Sequence, residues 1–537
     1  MDLFYTDEFS ARVRELMDRH RVPGLAIAVV QDEEIASKSY GYACLEPEEP
    51  CTEDTLFDIA SSSKSLTAAS VGLLVEDNGK YPEVQYDATM SNLLPDDFVM
   101  PDFASTDGVT VDDVLGHRTG MAGHDCSYMG PQAAQPDDAQ SITRNLRNLL
   151  MAAPLRSRYL YCNIMYTVAT HLVEVKTGQS FSDFLEQRFF QPLGMDSTSL
   201  QPTTARAKGL GNRIATGYLW DKKSSTYHGF PGPDCPEGQG AGSIITSVND
   251  YIKWIKALMH HEGPISEKVY QGLIRMRSFV NPSGKWLKPF TSPIFYTAGM
   301  EIYYYRGHAV VGHNGVITGF GSRFFFMPVF KFGAVIMGNS DTAVSVANAL
   351  TRQLIDAVLK VPKQEQSSQA KPGRMPRTFK KDLTVRPKIQ ALDQGENTKK
   401  DSEKNNPRDR PKSEGSRSQE TRRGKKSSPQ EAPRPQVTSL SMYTGRYRNP
   451  GYHSLTVQVK SDKLFVDATD RSTGFTLTFE HVSDQTKYIA HLCDELEEGD
   501  EPIRAEFVFE NGRAVSMGLE LEEVLKELIW FDLENYP

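Results

Sequence analysis

No stretch of this 537-residue chain stays apolar for the roughly 20 residues that a bilayer crossing needs, so a membrane-spanning protein is not expected. The first dozen residues carry Asp2, Asp7 and Glu8 where a secretory leader would be basic and then apolar, so export by that route is not expected either. Cysteine is scarce. The six, at 44, 51, 126, 162, 235 and 493, form no C-x-x-C pair, and a chain this long buries a core without staples. Reduced thiols in a cytoplasmic protein are therefore expected. Cys44 and Cys51 are close enough in sequence to pair, but spacing alone does not establish bridging geometry. There is no G-x-S-x-G elbow, which removes the usual α/β-hydrolase signature. There is also no H-E-x-x-H motif or Cys/His cluster, so neither a metal nor a cofactor is expected.

What is present is the balance of an ordinary globular enzyme, 24% charged and 39% hydrophobic, in a chain long enough for more than one folded unit. The formal charge of −9 averages two opposite regions. Residues 362–437 hold 20 Lys and Arg against 10 Asp and Glu, so +10 there leaves −19 for the rest. Rich in Lys, Arg, Ser, Gln and Pro, this stretch cannot offset ordering entropy by burial. It is predicted to be a disordered basic linker between domains at 1–361 and 438–537. Arg422-Arg423-Gly424-Lys425-Lys426 within it could serve a nucleic-acid or nuclear-targeting tail. A solvated spacer accounts for it more simply, and no nucleic-acid partner is expected. No solenoid-type repeat occurs, and oligomeric state cannot be read from the sequence.

Helical apolar spacing from Phe9 to Arg21 is followed by a strand pair, Gly24 to Gln31 and Ile35 to Ala43. A mostly helical middle follows. Three apolar segments, Ala309 to Val316, Ser322 to Met327 and Phe330 to Met337, then suit antiparallel strands, and Ala343 to Leu359 reads as an amphipathic helix. Strands at both ends with helices between predict one α+β sheet assembled from distant segments. Downstream, Leu455/Val457/Val459, Phe475/Leu477/Phe479 and Ile503/Ala505/Phe507/Phe509 alternate with polar residues, and Asn511-Gly512 marks a tight hairpin. Residues 438–537 are predicted to form a small antiparallel barrel or sandwich, with a short helix near Leu521 to Leu528.

Ser61-Ser62-Ser63-Lys64 opens an apolar helical stretch, which puts Lys64 one turn after Ser61 on the same face. A serine hydroxyl needs a nearby base, and a desolvated lysine can lose its proton and serve. Alone the pattern is weak: S-x-x-K arises by chance about once or twice in such a chain, and Ser368/Lys371 repeat it inside the linker. Without partners, Ser61 would read as a helix cap beside a solvated lysine. Two further elements follow in order. Tyr161-Cys162-Asn163, if extended, points a phenol and a carboxamide the same way, so that Tyr161 relays protons and Asn163 holds Lys64 and the substrate's acyl amide. His313-Asn314-Gly315 ends an apolar strand, and Gly315 permits a substrate backbone to come close. The N–H of Val316 and that of Ser61 would form an oxyanion hole.

Together these residues resemble the three motifs of the serine β-lactamase and penicillin-binding-protein family, S-x-x-K, Y-x-N and K/H-x-G, in its class C, esterase and D-aminopeptidase branch. The flanking VPGLAIAVV, LGHRTGM at 115–121, TGQSFSDFLEQRFFQPLGMDSTSL at 177–200 and GAGSIITSVNDYIKWIKAL are similar to the family's supporting segments. The resemblance covers roughly residues 5–360. It implies a β-lactamase/transpeptidase fold with a helical subdomain, and an acyl-enzyme on Ser61 with Lys64 and Tyr161 catalytic and Asn163, His313, Gly315 and Val316 binding substrate. Residues 438–537 resemble the small β domain, lipocalin-like, appended to D-aminopeptidase-like members. His313 stands where the lactamases carry lysine, as in peptidase and esterase members, which argues against strong β-lactamase activity. The implied function is a serine hydrolase acting on an ester or amide of a small molecule or short peptide, such as a D-amino-acid peptide or a secondary-metabolite intermediate. Two alternatives share the serine. One is an acyltransferase of a secondary-metabolite pathway, and the other a catalytically idle protein that senses or binds acyl ligands. Retention of every motif residue argues against the second.

Overall fold

The computed structural model describes residues 1–285, 287–366, 436–494 and 500–534. The predicted linker, with Arg422 to Lys426 and Ser368/Lys371, lies almost wholly outside the described residues. Only 362–366 and 436–437 of it fall within them.

The three apolar strand segments predicted near residue 320 and the strand pair at the N-terminus form one nine-stranded sheet. Its order is 48–50, 34–45, 24–31, 332–338, 320–327, 308–317, 301–305, 295–296 and 278–279, every neighbouring pair antiparallel. The first and last segments of the domain therefore meet at its centre, where Ile27 faces Ile336. Successive side chains of a strand point to opposite faces, and here both faces are covered. Leu25, Ile27 and Val29 pack with helices Asp7–His20 and Ala343–Val358 on one side. Ala26, Ala28 and Val30 join the core under helices Lys64–Glu76 and Val248–His260 on the other. That two-sided burial is why these strands read as continuous apolar runs.

Helix Lys64–Glu76 is buried from Lys64 through Val75, as expected of a segment apolar all round. Beside it the Thr110 cap organises the next part of the site. Thr110 and Asp113 form a reciprocal capping box, and the fully buried Asp113 carboxylate also accepts from Arg118 (2.6 Å) and Arg156 (2.6 Å). Burial raises the Asp113 pKa, but Arg156 and Thr110 outweigh it and hold the carboxyl below its usual range. Asp113→Ala is expected to cost about 3 kcal/mol, from ~1 for a lost cap and ~2 for charged hydrogen bonds, as checked by denaturant unfolding at pH 7. Because the folded pKa is depressed, this contribution is full above the unfolded value of about 4 and is lost as pH falls through the folded one. The parent and variant stabilities should converge in acid, and a constant gap across that range would argue against the ion pair.

Residues 445–533 close into an eight-stranded antiparallel barrel in chain order. The 501–510/513–519 hairpin turns on Asn511 (φ 49°) and Gly512 (φ 80°), the left-handed pair that a two-residue hairpin requires. The helix expected near Leu521 to Leu528 is absent: the segment is turn and bend. Its apolar residues, among them Leu521 and Leu525, instead pack on the core from an irregular chain, and Leu528 is buried. Cys44, Cys51, Cys162 and Cys235 are free thiols. Among the described residues no helix is long and apolar enough to cross a membrane.

Candidate active site

Ser61 lies in a single 3-10 turn, Ala60–Ser63, that runs into helix Lys64–Glu76. The residue before it, Ala60, is left-handed at φ 45°, a conformation that costs an alanine roughly 1–2 kcal/mol. Buried Asp58 holds the turn by accepting the Ala60 N–H at 2.7 Å. The turn projects Ser61 Oγ between two partners, Lys64 Nζ at 3.0 Å and the Tyr161 hydroxyl at 2.9 Å.

Lys64 is fully buried. Besides Ser61, its ammonium donates to Asn163 Oδ1 (2.8 Å) and the Ala241 carbonyl (2.7 Å). Those two are pure acceptors in this arrangement, so a neutral Lys64 keeps its two N–H bonds on them. Its lone pair is then left facing the Ser61 hydroxyl. Burial brings the lysine pKa down to about 7, against the pull of Asp125. Tyr161 donates to Ser61 Oγ. Burial drives its phenol well above its ordinary value, so it stays protonated.

Asn163 was expected in an extended turn beside Tyr161; instead it is helical (φ −65°, ψ −38°) at the cap of helix Ile164–Thr177. It reaches Lys64 from the helix end, and its Nδ2 donates to Asp125 Oδ1 at 3.1 Å. His313 was expected to end a strand but lies inside one, His308–Ile317. Its Nδ1–H donates to the Asn314 carbonyl at 2.5 Å, which leaves Nε2 to accept from the Tyr296 hydroxyl at 3.1 Å. Burial, with Lys64 nearby, lowers it to about 3, so the ring is neutral and both nitrogens are engaged. Its centroid is 6.3 Å from that of Tyr161. Gly315 has a reason within the protein itself, besides the substrate approach expected of it. A Cβ there would sit 1.9 Å from the Ile59 carbonyl oxygen and 2.4 Å from Ser322 Oγ, so the missing side chain admits the protein's own serine turn. Val316 follows on the same strand, opposite Gly321.

Two residues of the cluster were not singled out from sequence. His117, fully buried and left-handed at φ 54°, lies against Tyr161 with ring centroids 4.3 Å apart. It accepts the Cys162 N–H at Nδ1 (3.1 Å), and burial lowers its pKa well below the usual value. Its signal was the quoted LGHRTGM segment. Asp125, which carries no motif at all, sits on the loop after it. Burial pushes Asp125 up to about 6, with Asn163 and Lys64 pulling down and Glu522 adding to the rise. Ser61, Lys64, Tyr161 and Asn163 are thus joined by hydrogen bonds, and His313, Gly315 and Val316 line the adjoining strand. A hydroxyl between a buried amine and a neutral phenol can be deprotonated on one side while a proton is offered from the other.

The family model described as Beta-lactamase matches residues 9–359, and one described as a domain of unknown function matches residues 429–532. An unguisins hydrolase of Aspergillus campestris is 33% identical over 89% of this chain and 82% of its own length. A D-aminopeptidase of Brucella anthropi is 26% identical over 68% of this chain and 65% of that protein. Among solved structures, an octameric penicillin-binding protein homologue from Pyrococcus abyssi is 17% identical, covers 98% of this chain and 100% of that one, and has a TM-score of 0.56, a likeness of fold.

Proposed function

We propose, from the premise that this chain belongs to the beta-lactamase family and is a serine hydrolase of that fold, that it cleaves an amide or ester through an acyl-enzyme on Ser61. The observation that carries this reading is the position of Ser61 Oγ, within hydrogen-bond reach of both Lys64 Nζ and the Tyr161 hydroxyl. Lys64 takes the serine proton as Oγ attacks the acyl carbon. The N–H groups of Ser61 and Val316 hold the oxyanion. On collapse the bond to the leaving group breaks, and the leaving amine or alkoxide takes a proton from Tyr161, which Lys64 resupplies. Water then attacks the ester with the same pair as base. Asn163 and the His313–Gly315 strand place the acyl group. The resemblance to an unguisins hydrolase and a D-aminopeptidase supports an amide of a short peptide as substrate, and supports water as acceptor. The small β domain also speaks for the peptidase side of the family.

The test is intact-mass analysis after incubation with p-nitrophenyl esters, D-amino-acid amides and β-lactams. One acyl group should add, mapping to the peptide that contains Ser61, and should clear in water within minutes. An adduct elsewhere, or none with any of the three classes, would sink the assignment. An acyl-Ser61 that persists for hours and leaves only when an alcohol or amine is added would make the chain a transferase.

A further inference from the structure

We propose that Asp125 is a positioning residue for the acylating base, and that the C-terminal barrel holds it in place. The proposal rests on the assignment of Lys64 as base. An asparagine side chain can present either its oxygen or its nitrogen to a neighbour. Only the oxygen suits Lys64: an NH2 group turned toward it would meet a donor and would compete with Ser61 for the amine's lone pair. The Asp125 carboxylate decides the matter. Being acceptor-only when ionised, it takes the Asn163 NH2 at 3.1 Å and thereby turns Oδ1 toward Lys64 at 2.8 Å. Protonation of Asp125 allows it to donate, and the preference is lost.

Asp125 lies on a loop whose hydrogen bonds come largely from the barrel. The His124 N–H donates to Glu522 at 2.8 Å, and the Tyr452 hydroxyl donates to His124 Nδ1 at 2.7 Å, the other ring nitrogen being bound to the Leu150 carbonyl. Farther along, the Gly130 N–H donates to the Asp470 carbonyl (2.9 Å) and the Ser472 N–H to the Tyr128 carbonyl (3.1 Å). Arg471, buried between them, donates to the carbonyls of Tyr452 and Ser454 and reaches Met129 Sδ. The chain on either side of Asp125, at His124 and at Tyr128 to Gly130, is thus hydrogen-bonded across the domain boundary.

The charged and titratable groups around the pair are few. Asp125 is faced by Glu522 and Tyr452 from the barrel, Lys64 from the serine helix, Tyr161 and Cys162 from the segment ahead of helix Ile164–Thr177, and Tyr128 on its own loop. Lys64 is faced by Asp125 and Cys162, by the neutral His117 and His313, and by the rings of Tyr161 and Tyr166. Acylation then needs two deprotonations, Lys64 at about 7 and Asp125 at about 6.

The experiment is the pre-steady-state acylation rate of the full chain with a p-nitrophenyl ester from pH 4.5 to 8. The parent should show a log-rate slope of one between about pH 6 and 7, steepening toward two below about 6. Asp125→Asn, nearly isosteric, should keep a slope of one throughout. Its limb should move to lower pH, because Lys64 loses a nearby negative charge, and its plateau should fall about ten- to a hundredfold. Glu522→Gln keeps an acceptor for the His124 N–H but removes the like charge, so the steep region alone should move to lower pH. Asp125→Asn with the parent's slope and midpoint, or Glu522→Gln with no displacement of the steep region, overturns the proposal. A parent that acquires no acyl group on Ser61 removes the base assignment itself.

Discussion

Lys64→Ala is expected to slow acylation of Ser61 by ~2 to 4 orders of magnitude, the loss typical of a missing general base, and Ser61→Ala to leave no acylation at all. Stopped-flow measurement of the p-nitrophenolate burst reads both. The effect is large because, among the described residues, Ser61 Oγ hydrogen-bonds one group able to accept its proton, Lys64. Tyr161, the other partner, is itself the donor in that contact and is held protonated by burial. It cannot take over. The parent rate should rise with pH through about 7, where buried Lys64 gives up its proton, since the free amine is the active form. Lys64→Ala should be flat across the same range. A variant within threefold of the parent, or one that retains the limb near 7, would place the base elsewhere.

Gly315→Ala should be nearly as damaging, although the change is one methyl group. The added carbon would stand 1.9 Å from the Ile59 carbonyl oxygen and 2.4 Å from Ser322 Oγ. Neither obstacle can swing aside: Ser322 is bound to that same carbonyl at 2.8 Å and to Ser62 Oγ at 2.9 Å. The strand and the serine turn must part by about an ångström or more in a close-packed interior. A displacement of that order at the reacting groups costs roughly 10²-fold in rate, with about 1–3 kcal/mol of overpacking. The burst rate and the denaturant midpoint of Gly315→Ala check the two parts separately. Acylation at the parent rate would show that strand and turn are not coupled.

The parts of the molecule legible in the sequence are those in which local pattern and tertiary role coincide. Gly24 to Gln31 and Phe332 to Met337 are apolar because both faces of their sheet are covered. Leu455/Val457 and Phe475/Leu477 alternate because only one face of the barrel is. Ser61, Lys64, Tyr161 and Asn163 could be picked out because their residue types and order match a known pattern, and the fold joins them by hydrogen bonds. Leu521 to Leu528 misled because apolar spacing there reflects burial on a barrel end without a helical backbone. The steric demand on Gly315 could not be read in advance, since no sequence shows that the Ile59 carbonyl would be its neighbour. His117 and Asp125 were passed over for a related cause. Each is placed by long-range contacts, His117 with the Tyr161 ring and the Cys162 N–H and Asp125 with the Asn163 amide, and none of these leaves a periodicity to read.

The bond from the His124 N–H to Glu522 joins residues 398 positions apart, and that separation has a meaning in time. At ~5–20 residues per second of synthesis, about 20 to 80 seconds pass between the ribosome's addition of His124 and of its partner. Ser61 and Lys64 are on the growing chain throughout that interval, and Tyr161 for most of it, while the loop bearing Asp125 still lacks its barrel partners. On the proposed role of Asp125, Ser61 would reach its acylating geometry only once translation has delivered the barrel.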